Sequence, residues 1–199
     1  TGHLWIKNPT DPWEMTQAYM YGRKLVKQLY DGMKEFDPAA YGCAYLAAIG
    51  ELMGVRESRR VIGDYVLTVQ DYLDRRSFDD EIARNSYPID IHNTPEEAED
   101  FRKGKKAAMQ RFENYKPGES HGIPYRCLIP KNLRNVLVAG RCISTDRNVQ
   151  GSTRIMPCCM AVGEAAGAAA AMARASGDVR SVDAQALRNR LREAGAYLP

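Results

Sequence analysis

The chain contains the stretch Asn135-Val136-Leu137-Val138-Ala139-Gly140-Arg141, in which four apolar residues lead into a glycine. A short apolar run of this kind predicts a buried strand at residues 136–139. In parallel sheets such a strand delivers a loop to the carboxyl edge, where the ligands of open α/β folds bind. Gly140 would let a ligand approach the backbone closely because it has no Cβ. An ordinary core strand with a turn glycine is the alternative, and the heptapeptide alone favours it.

The segment after this strand predicts a helix that follows an irregular loop. Residues 151–157 read Gly-Ser-Thr-Arg-Ile-Met-Pro, and residues 155–175 are almost entirely small or apolar. We therefore expect a helix at 155–175 that is buried on most sides. Ser152 or Thr153 can cap this helix, whose first-turn N–H groups would form a site for negative charge; a cap that serves only the fold is the alternative. Its small residues would permit close packing against a sheet or a cofactor, or without any ligand: Gly163, Ala166, Gly167 and Ala170.

Upstream, the sequence predicts one long helix and several short elements. Asp11-Pro12 is typical of a helix start, and apolar residues at steps of three and four predict a helix at residues 13–36 with one buried face. Apolar stretches predict strands at residues 45–49 and 61–67, after which Thr68 can begin a short helix. The remaining expected elements are a short helix at 78–84, strands at 87–92 and 123–129, and an amphipathic helix at 182–194.

The predicted strand at residues 87–92 alternates apolar with polar side chains. Asp90 and His92 are two residues apart and would share one face of this strand, which suits a pair that handles a proton. A buried structural histidine is the alternative. No metal site is predicted.

Composition excludes several classes of protein. The 199 residues are 44% hydrophobic and 27% charged, with a net charge of +3, so a globular fold is expected and a nucleic-acid partner is not. The apolar run at residues 165–173 is shorter than the roughly 20 residues that a membrane span needs. Five cysteines without a Cys-x-x-Cys pair favour free thiols in a reducing, cytoplasmic compartment. The start at Thr-Gly-His suggests a piece of a longer protein.

Four segments in order, residues 123–130, 135–144, 151–157 and the small-residue helix, resemble the C-terminal flavin segment of the bacterial "FAD dependent oxidoreductase" family. That family is distantly similar to the flavoprotein subunits of fumarate reductase and succinate dehydrogenase. Residues 54–65 and 87–92 look like the family's substrate-side segments. The resemblance implies an α+β fold, with a mixed-sheet substrate-side lobe at residues 1–122. It implies that residues 123–199 are the flavin-contacting, C-terminal part of an FAD/NAD(P)-binding, Rossmann-like domain.

The resemblance also implies the cofactor and its contacts. FAD would lie with its ribityl chain and ring beside residues 140–144 and with its pyrimidine edge toward residues 153–157, where a reduced flavin develops negative charge. The expected cofactor-binding residues are Gly140, Arg141, Cys142, Ile143, Ser144, Gly151, Ser152, Thr153, Ile155, Met156 and Pro157. Arg154 stands where related reductases place an active-site arginine, with pairing to Glu164 or Asp146 as the alternative. Tyr125, Arg126, Arg56 and Arg59 are the substrate-side candidates, although a salt-bridged surface would also explain Arg56 and Arg59.

The sequence departs from a complete flavoenzyme in two places. No Gly-x-Gly-x-x-Gly fingerprint occurs, so the adenine and pyrophosphate site is expected in a missing N-terminal half. Residues 145–150 read Thr-Asp-Arg-Asn-Val-Gln and contain no histidine. A role that the family gives to a histidine in this loop therefore cannot be transferred to this chain.

Three functions compete. The leading hypothesis is hydride transfer between a small-molecule substrate and flavin N5. The second is an interaction or small-ligand module without redox activity. The third is RNA modification, against which the mild charge argues. An exposed sheet edge and an apolar helix face further predict that the isolated chain forms homo-oligomers.

Overall fold

A computed structural model describes residues 4–104 and 112–199, apart from the side chain of Phe101. The chain divides into two compact units, Thr1–Ser58 and Arg59–Pro199. The expected boundary at residue 122 lies inside the second unit. The division of function at that residue therefore stays a prediction.

The first unit consists of helix α1 (Pro12–Phe36), the short helix α2 (Pro38–Tyr41) and irregular segments. The predicted start of α1 is confirmed, because Asp11 Oδ1 accepts from the backbone N–H groups of Trp13 at 2.8 Å and Glu14 at 3.2 Å. The predicted buried face is wrong, since no residue from 4 to 58 is buried. The predicted strand at residues 45–49 is also wrong, because this segment has no neighbouring strand in the described chain.

The second unit carries most of the regular structure. Its elements are helix α3 (Val69–Leu73), strand β1 (Glu81–Asn85), helix α4 (Pro95–Arg102), strand β2 (His121–Pro124), a 3₁₀ turn (Tyr125–Leu128), a 3₁₀ turn (Gly140–Cys142), helix α5 (Arg147–Thr153), helix α6 (Met156–Met172), a 3₁₀ turn (Val179–Ser181) and helix α7 (Ala184–Glu193). Thr68 caps α3, as the sequence predicts. The cap is a capping box that also includes Asp71. The helices expected at 155–175 and 182–194 are confirmed as α6 and α7.

The described sheet is an antiparallel pair, with Ala83 opposite Ile123 and Asn85 opposite His121. The fold is therefore α+β, but the expected mixed sheet is wrong. β1 replaces the helix predicted at 78–84, because Ile82 and Ala83 are buried against α6 and α7 in a ladder with β2. β2 ends earlier than the strand predicted at 123–129, since Tyr125 donates its N–H to the carbonyl of Asp80 at 2.8 Å and the chain turns.

Residues 61–67 thread between residues 126–131 and 142–146 without forming a regular strand. Val61 donates to Cys142 at 2.9 Å, Asp64 donates to Ile129 at 3.0 Å, and Leu67 donates to Ser144 at 3.0 Å. The partner changes from one residue to the next, so the predicted strand at 61–67 is reduced to isolated bridges. The strand predicted at 136–139 is likewise absent from the described residues, where Val138 makes a single backbone bond to Leu128 at 2.8 Å.

Helix α6 packs against β1 and α7, and it buries one face. Val162, Ala165 and Ala169 are fully buried, whereas Met156 and Met160 are 69% and 70% exposed. The expectation that this helix is buried on most sides is therefore wrong. A Cβ added at Gly163 or Gly167 would meet nothing within 4 Å. Close packing through these two glycines does not occur within the described residues.

A buried ionic cluster joins β1 to α7. The carboxylate of Glu81 accepts from Arg84 Nη1 at 2.9 Å and lies 3.6 Å from Arg188 Nη1. Arg188 Nη1 also donates to the carbonyl of Glu81 at 2.8 Å. Such burial is tolerated because each charge has opposite charges and hydrogen-bond partners around it.

Among the described residues, no single helix is both long and apolar enough to cross a membrane, and the one pair that passes together, α5 and α6, is bent by 91°.

Candidate functional site

Helix α5 forms where the sequence predicts an irregular loop. Asp146 caps it, with Oδ1 accepting from Val149 N–H at 2.8 Å, while Oδ2 accepts from Val69 N–H at 2.6 Å. One carboxylate therefore holds the starts of α5 and α3. Ser152 and Thr153 end α5 and do not cap α6, whose N-cap residue, Ile155, makes no side-chain hydrogen bond. An Asp three residues before a buried valine is the signal that sequence reasoning missed.

Residues 86–92 lie along α5 without regular secondary structure, so the strand predicted at 87–92 is wrong. Asn85 Nδ2 donates to Ser152 Oγ at 2.7 Å, and Ser152 Oγ donates to the carbonyl of Tyr87 at 2.6 Å. A Cβ added at Gly151 would lie 2.5 Å from Ile91 Cγ2 and 3.1 Å from the carbonyl oxygen of Asp90. Side-chain hydrogen bonds and close contact with α5 therefore hold this segment, in place of the backbone hydrogen bonds of a sheet.

Two predicted catalytic residues, Arg154 and Asp90, meet in the structure. Arg154 is buried, its Nη2 donates to the carbonyl of Asp90, and the same nitrogen lies 3.6 Å from Asp90 Oδ2. The ion-pair partner seen here is thus neither Glu164 nor Asp146. His92 is exposed, and its carbonyl accepts from Arg147 Nη2 at 3.5 Å. No strand forms at these residues, so the strand face that Asp90 and His92 were expected to share is wrong, while their pairing stays a prediction.

The turn Gly140–Cys142 carries the first group of predicted cofactor residues. Gly140 has φ +84°, a left-handed conformation that favours glycine, and an added Cβ would meet nothing within 4 Å. Arg141 is exposed, whereas Ile143 and Ser144 are buried. Ser144 Oγ accepts from the backbone N–H of Gly63 at 2.9 Å. The turn therefore presents Gly140 and Arg141 outward from a fixed base.

The start of α6 lies beside this turn. The turn packs against α6, and the charge of Arg141 partly opposes the rise that burial causes in the pKa of Cys159, in the first turn of the helix. Met156 and Pro157 are exposed, and Ile155 is half-buried. Because no side chain caps α6, first-turn N–H groups such as that of Cys158 carry the positive end of the helix dipole. The structure thus brings two separately predicted cofactor segments together.

A hollow of about 360 Å³ opens at the same helix start. Its lining combines the segment that follows β1 with the first residues of α6: Arg84, Asn85, Ser86, Tyr87, Pro88, Ile155, Pro157 and Cys158. Substrate-side and cofactor-side segments of the sequence therefore share one concave surface. Among the described residues, no cluster of three or more His, Cys, Asp or Glu side chains could hold a metal ion.

Comparison with known proteins identifies the family. The model of the family described as "FAD dependent oxidoreductase" matches residues 1–191. The chain belongs to this family. No curated protein and no solved structure matches it. The predicted resemblance to this family is confirmed, and membership supports a flavin-dependent oxidoreductase in general. The similarity to fumarate reductase stays a prediction.

Two substrate-side candidates of this FAD dependent oxidoreductase family member, Tyr125 and Arg126, bind protein atoms in the second unit. Tyr125 is buried, and its hydroxyl donates to the carbonyl of Val179 at 2.9 Å; burial raises its pKa to about 12. Arg126 binds both oxygens of Asp80, at 2.9 and 3.0 Å, and this hydrogen bonding raises its pKa. Arg56 belongs to the first unit, whereas Arg59 begins the second. Tyr125 is thus a core residue, and Arg126 a member of an ion pair.

Sequence reasoning missed a buried aromatic cluster beside the antiparallel pair of β1 and β2. His121 is fully buried, its Nδ1 lies 2.5 Å from the hydroxyl of Tyr115, and its Nε2 has no hydrogen-bond partner among the described residues. Burial, together with the nearby charge of Arg84, lowers the pKa of His121 to about 4. Burial also raises the pKa of Tyr115. The imidazole is therefore neutral at pH 7, and its Nδ1 shares a hydrogen bond with the hydroxyl of Tyr115, which keeps its proton.

Proposed function

We propose that this chain forms part of a flavoenzyme that moves a hydride between a small-molecule substrate and N5 of FAD. The family match over residues 1–191 carries the proposal. The flavin, when bound, supplies the redox chemistry. The residues of this chain would bind the ring, orient the substrate against it and exclude water.

The residues at the turn and at the start of α6 fit a flavin ring. Gly140 leaves open space beside its backbone, so a planar group can approach closely. The uncapped N–H groups of α6 and the exposed guanidinium of Arg141 favour negative charge at the same place. Ile155, Met156 and Pro157 offer apolar surface beside these donors. We assign the pyrimidine edge of the ring to this helix start.

The buried residues of the expected cofactor-binding set would support the site through contacts with other protein atoms. Ser144 holds Gly63, Ser152 holds Asn85 and Tyr87, and Gly151 lets residues 90–91 approach. Ile143 and Thr153 are buried beside them. These residues would fix the shape of the site without contacting the ring.

We assign the substrate to the hollow between residues 84–88 and the start of α6. Arg154 is buried against Asp90, which supports a positioning role for this arginine: it holds the substrate-side segment to the end of α5. Asp90 is about two-fifths exposed and could contact substrate, and the exposed His92 is close in sequence. We propose that Asp90 or His92 transfers a proton to or from the substrate.

The adenine and pyrophosphate half of FAD needs residues outside this sequence. Because no Gly-x-Gly-x-x-Gly occurs here, we propose that a separate Rossmann-like segment supplies the phosphate site. The 199-residue chain alone would then bind FAD weakly.

The test joins this chain to the sequence that precedes it in its gene and measures flavin absorbance after addition of FAD. We expect a yellow protein whose flavin is bleached by substrate or reductant. A folded full-length protein that stays colourless would overturn the proposal and favour an interaction module without redox activity. The absence of Gly-x-Gly-x-x-Gly supports that alternative.

A matched pair of glycine variants tests the placement of the ring. Gly140 and Gly177 both have positive φ, +84° and +65°, and an added Cβ meets nothing within 4 Å at either position. Gly140→Ala and Gly177→Ala therefore carry similar backbone strain, of about 1 kcal/mol. We expect Gly140→Ala alone to weaken FAD binding, by about tenfold, which corresponds to about 1.4 kcal/mol. Equal FAD affinities in the two variants would place the ring elsewhere.

A further inference from the structure

The first unit leaves much of its apolar surface open. No residue from 4 to 58 is buried, and eleven large apolar side chains between residues 5 and 52 are at least 37% exposed. At roughly 150–250 Å² for a whole aromatic side chain, and less for the others, these exposed parts add up to on the order of 1,000 Å². The largest apolar patch on a typical monomer is about 300–600 Å². A partner is therefore expected to cover part of this unit.

A continuous apolar stripe runs along α1. Its residues follow one another at steps of three and four, so they share one face of the helix: Ala18, Tyr21, Leu25, Leu29, Gly32 and Phe36. Tyr21, Leu29 and Phe36 are each more than half exposed. A Cβ added at Gly32 would lie 3.9 Å from Phe36 Cδ2, and no other described residue lies within 4 Å of it. The stripe is therefore open, and it carries no charge.

The stripe is complementary to itself when two copies run antiparallel. A twofold axis between Leu25 and Leu29 places these two leucines opposite each other across the pair, and it places Ala18 opposite Phe36. The small side chain of Ala18 then leaves room for the ring of Phe36. A parallel pair would set Phe36 against Phe36 and leave a gap between the two alanines. The dipoles of the two helices also attract each other in the antiparallel arrangement.

We propose that the stripe on α1 docks on the same stripe of a second copy of this chain, in an antiparallel pair. A stable interface buries about 800 Å² on each partner, and the exposed apolar surface of the first unit is large enough to supply that area. The close approach of the helices buries no charge, because the stripe has none. The proposal does not rest on the flavin, since the stripe lies outside the residues assigned to it.

Sedimentation equilibrium of the 199-residue chain tests the pair. We expect a dimer whose dissociation constant rises by more than about tenfold in Leu29→Glu, because each copy would then carry a carboxylate into the apolar seam. Met20→Glu is the matched control. Met20 is 53% exposed, close to the 57% of Leu29, and it lies nine residues earlier on the opposite side of α1.

Two outcomes of this measurement would overturn the proposal. One is a chain that stays monomeric at every concentration, and the other is an equal rise of the dissociation constant in Leu29→Glu and Met20→Glu. Far-ultraviolet circular dichroism establishes that both variants keep their helix content.

Cross-linking tests the orientation without a charge in the seam. Ala18→Cys and Phe36→Cys are made separately in a Cys43→Ser chain, mixed, and oxidised gently. We expect a disulfide between the two variants in the mixture and none at these positions in either variant alone. The two copies of residue 18 lie about 27 Å apart in the antiparallel pair, at 1.5 Å per residue. A disulfide between two copies of Ala18→Cys would show a parallel pair and would contradict the proposal.

A different occupant of the stripe would show itself in the chain joined to the sequence that precedes it in its gene. We expect the joined protein to dimerise as well, and Leu29→Glu to weaken that dimer. A monomeric joined protein would assign the stripe to the preceding sequence and overturn the proposal. Flavin absorbance plays no part in these measurements, so their outcome is independent of the proposed redox function.

Discussion

Helix α5 and the start of α6 are neighbours in the sequence, and both are expected to contact the cofactor, yet the fold uses them in opposite ways. The last five residues of α5 are buried, whereas Met156 and Pro157 at the start of α6 are exposed. The polar groups of α5 bind protein atoms, and the first-turn donors of α6 have no side-chain cap. Small and hydroxylated residues suit packing as well as ligand binding, so residue type alone does not distinguish the two roles. Burial does distinguish them, and it divides the site into an anchored side and an open side.

The anchored side consists of α5, residues 86–92 and the antiparallel pair of β1 and β2. The open side consists of the 140–142 turn and the first turn of α6. Asn85 links the parts of the anchored side, since it pairs with His121 across the sheet and its side chain binds Ser152. We therefore expect changes on the anchored side to alter the free energy of unfolding, and changes on the open side to alter ligand binding.

The largest expected effect is the pH dependence that His121 gives to the anchored side. Its pKa is about 4 in the folded chain and 6.5 when unperturbed, so the unfolded chain takes up the proton first as the pH falls. The stability due to neutral His121 is fully present above about pH 6.5 and is lost as the pH falls to about 4, by on the order of 3 kcal/mol.

Urea unfolding at a series of pH values measures this loss. His121→Asn keeps a hydrogen-bonding group for the Tyr115 hydroxyl but cannot titrate, so it should flatten the curve between pH 6.5 and 4. His92→Asn, at an exposed position, is the control and should keep the wild-type slope. An unchanged slope in His121→Asn would contradict the assignment.

A smaller effect is expected when the buried arginine is compared with the exposed one. Arg154→Met leaves the carbonyl and carboxylate of Asp90 without this donor, so we expect a loss of about 2 kcal/mol in the free energy of unfolding. Arg141→Met removes an exposed charge and should change stability by less than about 0.5 kcal/mol. Equal losses in the free energy of unfolding of the two variants would contradict the division into an anchored side and an open side.

The smallest expected effect compares two helix glycines. Gly151→Ala would press against Ile91 and the carbonyl of Asp90, and we expect a net loss of about 1 kcal/mol. Gly167→Ala enters open space on α6 and should gain up to about 1 kcal/mol, because alanine is the better helix former. Thermal melting of both variants measures the difference. A stabilising Gly151→Ala would show that residues 90–91 do not pack on α5 as described.

Helices were predicted better than strands, and the reason is local. α1 and α3 have side-chain caps at Asp11 and Thr68, and α7 has a periodic apolar face, so their signals lie within a few residues. The apolar runs at 45–49, 61–67 and 136–139 could not show whether a partner strand exists. β1 was missed because the charged residues Glu81 and Arg84 interrupt the apolar pattern of a buried strand. In the structure Glu81 pairs with Arg84 and with Arg188, which allows these charges to be buried.

The sequence by itself determined the family, the positions of the capped helices and the glycine turn at 140, because these depend on residue type and short spacing. Only the tertiary structure decided which candidate residues face outward. Arg154 and Gly151 turn inward to Asp90 and Ile91, while Gly140 and Met156 stay open. That choice depends on contacts between segments some 60 residues apart, such as Arg154 with Asp90, and no local pattern encodes the free energy of such contacts.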